Sequence, residues 1–280
     1  MQWPADHPAV TDPELAPWRH GAEELCPDAT VRRVLRHLPG RRVASLVTMS
    51  NQKAVLKIFA SPRARGNTRR LDSLAGSGAG PFVPRALGVD AVGHVALVSW
   101  APGTVFDQLD DGRFVRTAAA VGAALRALHT GGARLDRSWT VVDELTLLDR
   151  RCLPHDGETT AHLVDEPLVP AHRDCHPRQV VSYRGTVRWI DLDDAAMAPP
   201  GLDVGNFMAH LRADALFGRR SPEPTRAALS AFRSGYGDCA GDVAAWERLT
   251  LIRLAGLAVS RHGQPGWREA ILDELAEAGS

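Results

Sequence analysis

His172-Arg173-Asp174-Cys175-His176-Pro177-Arg178-Gln179 and, a little further on, Trp189-Ile190-Asp191-Leu192-Asp193-Asp194 hold the residues best suited to chemistry. The first run lies between apolar Leu168–Ala171 and the β-like Val180–Tyr183, so it reads as a loop. Val187–Ile190 then pairs back through Arg184-Gly185, and the hairpin returns Asp191 to the side of that loop. Two carboxylates (Asp174, Asp191) and one amide oxygen (Gln179) can therefore converge. Hard oxygen donors of this kind suit Mg²⁺, which keeps several waters and leans on substrate phosphates for the rest of its shell.

Taken alone, His172-x-Asp174-x-His176 is also compatible with a fragment of a metal-dependent hydrolase. That reading needs further ligating histidines, and His155, His162 and His210 have no ligand spacing. His172 and His176 read more simply as anchors that fix the loop by hydrogen bonds. Asp193 is open to either a ligand or a structural role; Asp194 reads as a polar residue leaving a strand. Cys175 carries no mark of a nucleophile.

The elements that must position these residues fall into two groups. Residues 1–27 carry prolines at 4, 8, 13, 17 and 27 and read as an irregular N-terminal extension. Asp28 reads as an N-cap, with Val31, Val34, Leu35 and Leu38 on one helical face before Pro39-Gly40. Arg42–Met49 and Ala54–Ala60 form a hairpin around Ser50-Asn51-Gln52, a helix covers Arg63–Ala75, and Val83–Val89 leads to a strand at His94–Trp100. Ala101-Pro102-Gly103 breaks that strand. Beyond it helices dominate, at Phe114–His129, Val142–Cys152, 203–217, 224–235, 243–261 and 266–277. A small β-rich part, a short connector and a larger helical part imply two lobes on a hinge, with a ligand cleft between them.

Composition bounds the function. The chain has 280 residues, 44% hydrophobic and 24% charged, as in ordinary globular proteins. The 33 basic residues balance 33 acidic ones, so neither a nucleic-acid partner nor a membrane surface is expected. Cys26, Cys152, Cys175 and Cys239 form no C-x-x-C pair, and no signal peptide or bilayer-length apolar run is present, so a reducing cytoplasm is expected. Only Lys53 and Lys57 are lysines, which singles out Lys57 in the apolar run Ala54-Val55-Leu56-Lys57-Ile58-Phe59.

The pattern H-x-D-x₄-N/Q followed by I-D resembles the catalytic and metal loops of the aminoglycoside phosphotransferase-like family of small-molecule kinases. The resemblance covers residues ~28–280 and implies an α+β, bilobal protein-kinase-like fold. Residues 28–100 would be the nucleotide-binding N-lobe, 101–103 the hinge, and 104–280 the catalytic and acceptor-binding C-lobe. It also implies roles. Asp174 would orient the attacking hydroxyl and accept its proton; Gln179 and Asp191 would hold Mg²⁺; Asp203 would brace the catalytic loop. Lys57 would grip the α- and β-phosphates of ATP or GTP, and backbone groups of Ser99 and Ala101 would meet the base. Three departures stand out: Arg42–Val47 holds no glycine-rich loop, Asn67 stands where a helix Glu should pair with Lys57, and position 179 is Gln rather than Asn.

Only 11 residues separate Asp191 from Asp203, too few for a peptide-holding activation segment, so a small-molecule hydroxyl is the expected acceptor. An antibiotic, sugar, nucleoside or amino alcohol all fit. The competing expectation is a nucleotide-binding pseudokinase, motivated by Asn67 and the missing glycines.

Overall fold

The structure is a computed structural model that describes residues 1–153, 160–260 and 264–277; His155 lies outside them. The chain divides into two compact units, Met1–Pro102 and Gly103–Ser280.

The first unit is built on a five-stranded antiparallel sheet in the order β1-β2-β3-β5-β4. Its strands are β1 (Thr30–Leu38), β2 (Arg42–Met49), β3 (Gln52–Phe59), β4 (Ala86–Val89) and β5 (Val95–Ser99). Residues 30–38 thus form a strand, where the sequence suggests a helix. The reason lies in the pairing. Register shifts fall between Val31 and Arg33 and between Val34 and Arg36. Each adds one residue to a period of two, so the apolar side chains recur at spacings of three and four, as on a helix. The strand is also mostly exposed, so burial leaves little alternation to read.

Both faces of this sheet are covered, and by different segments. Helix α3 (Ala64–Ala75) supplies Ala64, which packs with Phe59 and Ala96. The opposite face, with Val43, Val47, Ala54, Leu56 and Ile58, packs against Ala9, Leu15, Ala22 and Cys26. Residues 1–27 are therefore no irregular extension. They form α1 (Pro8–Thr11), a 3₁₀ turn and α2 (Arg19–Leu25), and they close one side of the core.

The second unit begins with β6 (Thr104–Val105) and the long α4 (Asp111–Thr130), capped by Asp110 accepting from Arg113 N–H at 2.9 Å. After α5 (Val141–Asp149) come two strand pairs. Strand β7 (Val169–Ala171) pairs with β10 (Ala196–Ala198), and β8 (Val180–Tyr183) with β9 (Thr186–Trp189), β6 completing the latter sheet. The helices α6 (Pro200–Leu216), α7 (Pro222–Tyr236), α8 (Val243–Ser260) and α9 (Pro265–Glu277) follow. None of the helices among the described residues is long and apolar enough to cross a membrane.

Aromatic packing fixes the hairpin to the helices. Trp189 at the end of β9 is fully buried, its ring edge-on to Phe207 of α6 at 5.8 Å, and Phe207 stacks on Phe232 of α7 at 4.3 Å. Helices α4 and α7 meet backbone to backbone. A Cβ on Gly122 would lie 2.1 Å from the Phe232 carbonyl oxygen, and one on Gly235 2.0 Å from that of Ala119. Neither obstacle is a side-chain tip that could swing away. Gly122→Ala or Gly235→Ala should therefore force the helices apart and cost about 1–3 kcal/mol. A lowered urea midpoint for both variants, with Gly266→Ala as an open-space comparison, is the expected result; unchanged midpoints would contradict this packing.

Candidate active site

The residues of the two candidate-site loops are held at both ends by sheet. Loop 172–179 and loop 190–195 span the same two strand pairs: Ala171 is opposite Ala196 on one side, and Val180 is opposite Trp189 on the other. Ile190 N–H donates to the Gln179 carbonyl at 2.8 Å, extending the β8–β9 ladder by one step toward Asp191. His172, fully buried, crosses between the loops: its Nε2 donates to the Ile190 carbonyl at 2.9 Å. Backbone pairing in this way sets the loop that carries Asp174 and Gln179 beside the loop that carries Asp191, and Gln179 Nε2 bonds Asp174 Oδ2 at 3.3 Å.

Asp203, in the first turn of α6 and fully buried, fixes the start of the loop. Its Oδ2 accepts from His172 N–H at 2.6 Å and its Oδ1 from Arg173 N–H at 2.8 Å. His129 of α4 adds a third donor, Nε2 to Oδ2 at 3.2 Å, and its Nδ1 lies 2.7 Å from the Tyr236 hydroxyl of α7. Burial pushes the Tyr236 phenol up, so it stays protonated and donates to His129. The loop is thus tied to α4, α6 and α7 through one carboxylate. His129 and Tyr236 have no sequence signal of their own, since nothing in a helix pattern tells a buried polar partner from a surface one.

Two residues beside the site have left-handed backbone, Arg173 at φ 69° and Asp191 at φ 56°. Such values are uncommon outside glycine and persist where surrounding contacts over-determine them. At Arg173 the constraint is its amide bond to Asp203, while its guanidinium lies 3.5 Å over the Trp139 ring. This turn of the chain is what separates the inward His172 from the more open Asp174.

The Asp174 side chain is 47% exposed. Gln179 Nε2 donates to its Oδ2 at 3.3 Å, and His176 Nε2 lies 3.6 Å from the same oxygen. Desolvation works against the charged form of Asp174, but the His176 bond and charge, with His172 and Arg253 behind them, outweigh it. The carboxyl is held well below the usual carboxylate range. His210 packs against His176 at 4.9 Å between rings, and burial, with the neighbouring His176, pushes His210 well down, so it stays neutral. Burial, with Asp203 and Asp174, pushes the Cys175 thiol up, which leaves it without nucleophile character.

No cluster of three or more His, Cys, Asp or Glu fit to hold a metal exists among the described residues. A hydrolase-type centre would need one. The donors at hand are instead Asp191 and, once its NH₂ is committed to Asp174, the Oε1 of Gln179. Two hard oxygens suit a cation that takes its remaining ligands from water and phosphate. Asp193 is buried in the 3₁₀ turn after Asp191, and the Asp194 carboxylate accepts from Arg137 at 3.4 Å.

The remaining sequence-predicted residues belong to the first unit. Lys57 is buried on β3, opposite Ala44 of β2 and Ala96 of β5. Ser99 lies three positions along β5; its N–H donates to the Arg85 carbonyl at 2.9 Å and its hydroxyl accepts from Arg85 N–H at 2.9 Å. Ala101 follows, buried, at the end of the unit. Asn67 is buried on α3 and its Oδ1 accepts from Arg70 Nη2 at 2.6 Å, so this side chain is committed within its own helix.

Asp203→Ala would strand two buried amides and the His129 donor. A loss of about 3–5 kcal/mol is expected, read as a lower denaturant midpoint for the second unit. A wild-type midpoint would remove Asp203 from its position as anchor.

Residues 34–252 match the model of the phosphotransferase enzyme family (APH). Solved structures share the fold. An aminoglycoside-3'-phosphotransferase of type VIII aligns with TM-score 0.64 at 19% identity, over 85% of this chain and 98% of that one. The choline kinase LicA from Streptococcus pneumoniae aligns with TM-score 0.63 at 15% identity, over 94% and 99%. A glucosamine kinase, in complex with glucosamine, ADP and inorganic phosphate, aligns with TM-score 0.62 at 20% identity, over 95% and 86%. No curated protein sequence matches the chain. A loop braced by a buried aspartate, a mixed helix-and-sheet architecture of the protein-kinase-like kind, and a family match over most of its length lead to one assignment: the chain belongs to the phosphotransferase enzyme family.

Proposed function

We propose that the protein transfers the γ-phosphoryl group of ATP or GTP to a hydroxyl of a small molecule, with Mg²⁺ as cofactor. The observation that supports this reading is the double clamp on loops 172–179 and 190–195, whose ends are paired on both sides and which His172 ties to each other, with Gln179 bonded to Asp174. In a loose phosphoryl-transfer transition state the protein supplies position and charge compensation rather than covalent bonds, so rigid placement is what such an enzyme requires.

Each residue has a distinct part. Asp174 accepts a hydrogen bond from the acceptor hydroxyl, aims its oxygen at the γ-phosphorus and takes up its proton as transfer proceeds. A strongly depressed carboxyl is a weak base; it orients first, and takes the proton late, when the hydroxyl has become acidic. Gln179 and Asp191 would hold Mg²⁺, which supplies neutralisation of the β- and γ-phosphate oxygens when bound. Lys57, a buried cation on β3, steadies the α- and β-phosphates, and backbone groups of Ser99 and Ala101 meet the base edge. Residues 28–100 would act as the nucleotide lobe, 101–103 as hinge, and 104–280 as the catalytic and acceptor lobe.

The shortness of the stretch between Asp191 and Asp203 supports a small-molecule acceptor. A 3₁₀ turn, β10 and the first turn of α6 take up that whole stretch, leaving no segment to hold a peptide. A sugar, amino alcohol, nucleoside or antibiotic hydroxyl fits. Free cysteines at 26, 152, 175 and 239, with balanced charge, suit the cytoplasm and give no reason for a nucleic-acid or membrane partner.

A panel of hydroxylated metabolites and antibiotics, assayed for Mg²⁺-dependent ADP or GDP release, tests the reading. Asp174→Ala should lower turnover about 10²–10⁴-fold while nucleotide affinity, measured by calorimetry, stays near wild type. Wild-type turnover in that variant would remove Asp174 from its role. Chelation by EDTA should abolish transfer and added Mg²⁺ restore it; full activity in EDTA would sink the metal assignment.

A further inference from the structure

The turn between β1 and β2, Pro39-Gly40-Arg41, stands at the same end of the sheet as Lys57. Arg42, just after the turn, pairs with Phe59, and Ala44 pairs with Lys57. At ~3.3 Å per residue, the turn lies on the order of 10 Å beyond the lysine's cross-strand partner. In protein kinases the corresponding turn covers the nucleotide phosphates and is glycine-rich. Here it has one glycine, at φ 65°, closed by Arg41 N–H donating to the Leu38 carbonyl at 3.0 Å. On the phosphotransferase reading the turn that corresponds is 39–41, ahead of Arg42–Val47, and its shape has to be kept by something other than glycine content.

What keeps it is Asp12. This buried carboxylate accepts from Gly40 N–H at 2.9 Å and from His37 Nε2 at 2.9 Å, both on Oδ2, while Oδ1 accepts from Glu14 N–H at 3.0 Å. Asp12 is itself held by its own segment. Ala9 and Leu15, on either side, are fully buried in the core face made by Val43, Val47, Leu56 and Ile58. His7 accepts from Ala9 N–H at Nδ1 and bonds the Ser45 hydroxyl through Nε2 at 2.8 Å. Ser45 and Ile58 flank Ala44 and Lys57 in their strands, so this is the sheet face opposite Lys57. The carboxylate thus grips the turn from the far side, where its charge does not oppose a phosphate. The segment also lies outside residues 34–252, the part of the chain that the family model matches.

We propose that Asp12 is a positioning residue for nucleotide binding, holding the β1–β2 turn in one shape over the triphosphate in place of a mobile glycine-rich loop. The proposal rests on the phosphotransferase reading. Fixing the turn before binding lowers the ordering cost of the complex, so its loss is read in affinity.

The test compares Asp12→Ala and the milder Asp12→Asn with His7→Ala, which loosens the same segment at Ser45 without touching the turn. Two quantities are measured: amide hydrogen exchange at Gly40, and the Kd for Mg·ATP and Mg·GTP by titration calorimetry. All three variants should lose thermal stability. Only the Asp12 variants should lose protection at Gly40 and bind nucleotide about five- to tenfold more weakly, with kcat at saturating nucleotide changed less than KM. An Asp12→Ala protein that binds within twofold of wild type, or a His7→Ala protein weakened as much, overturns the proposal while leaving the phosphotransferase reading intact. A wild-type protein that binds neither nucleotide overturns both.

Discussion

A single buried carboxylate, Asp203, accepts the amides of His172 and Arg173 together with a proton from His129. A charge with no exposure to water is tolerated only when its oxygens are saturated with donors, and these three come from two different elements. The consequence is mutual: α6 needs the loop amides, and the loop needs α6. Because Asp203 lies in the first turn of its helix, the positive end of the α6 dipole adds to the same balance. The loop is therefore fixed before any ligand arrives, which is the condition under which positioning can lower a barrier.

Rigidity at that anchor is passed on by sheet rather than by side-chain packing alone. The β7–β10 and β8–β9 pairs hold the two loops at both ends, and His172 ties one loop to the other at Ile190. Arg173 and Asp191 absorb the cost as left-handed backbone on either side of the site. Asp174 is left as the more open member, with His176 and Gln179 as neighbours that favour its charged form. Strain and charge are concentrated where the chemistry is proposed, and the apolar stack of Trp189, Phe207 and Phe232 beneath supplies the compensating burial.

The first unit solves a similar problem by a different device. Its sheet would expose one apolar face if residues 1–27 were absent, since Ala9, Leu15, Ala22 and Cys26 are what cover Val43, Val47, Leu56 and Ile58. Having packed there, the segment brings Asp12 to the β1–β2 turn. A carboxylate on a backbone amide can restrain a turn that several glycines would leave mobile, and it does so without a side chain on the ligand side.

Local sequence determined a good deal of this protein. The hairpin pairs Arg42–Met49 with Gln52–Phe59 and Val180–Tyr183 with Thr186–Trp189, the helix at 64–75 and the long helices of the second unit follow from periodicity and turn residues. The pattern of His172, Asp174, Gln179 and Asp191 was enough to carry a resemblance to the aminoglycoside phosphotransferase-like family, which the family match over residues 34–252 bears out, because a loop motif is written in nearly consecutive residues. What only the tertiary structure decided are the features whose partners lie far along the chain. Two bulges made β1 look helical, and Asp28 through Leu38 could not reveal the strand without the pairing to β2. Prolines made residues 1–27 look irregular, although their apolar side chains close a core. His129 meets Asp203 across 74 positions and Tyr236 across 107, and Asp12 meets Gly40 across 28. Periodicity reports which face of an element is buried; it carries no information about which distant donor a buried acceptor will meet, and that choice is made only when the elements pack.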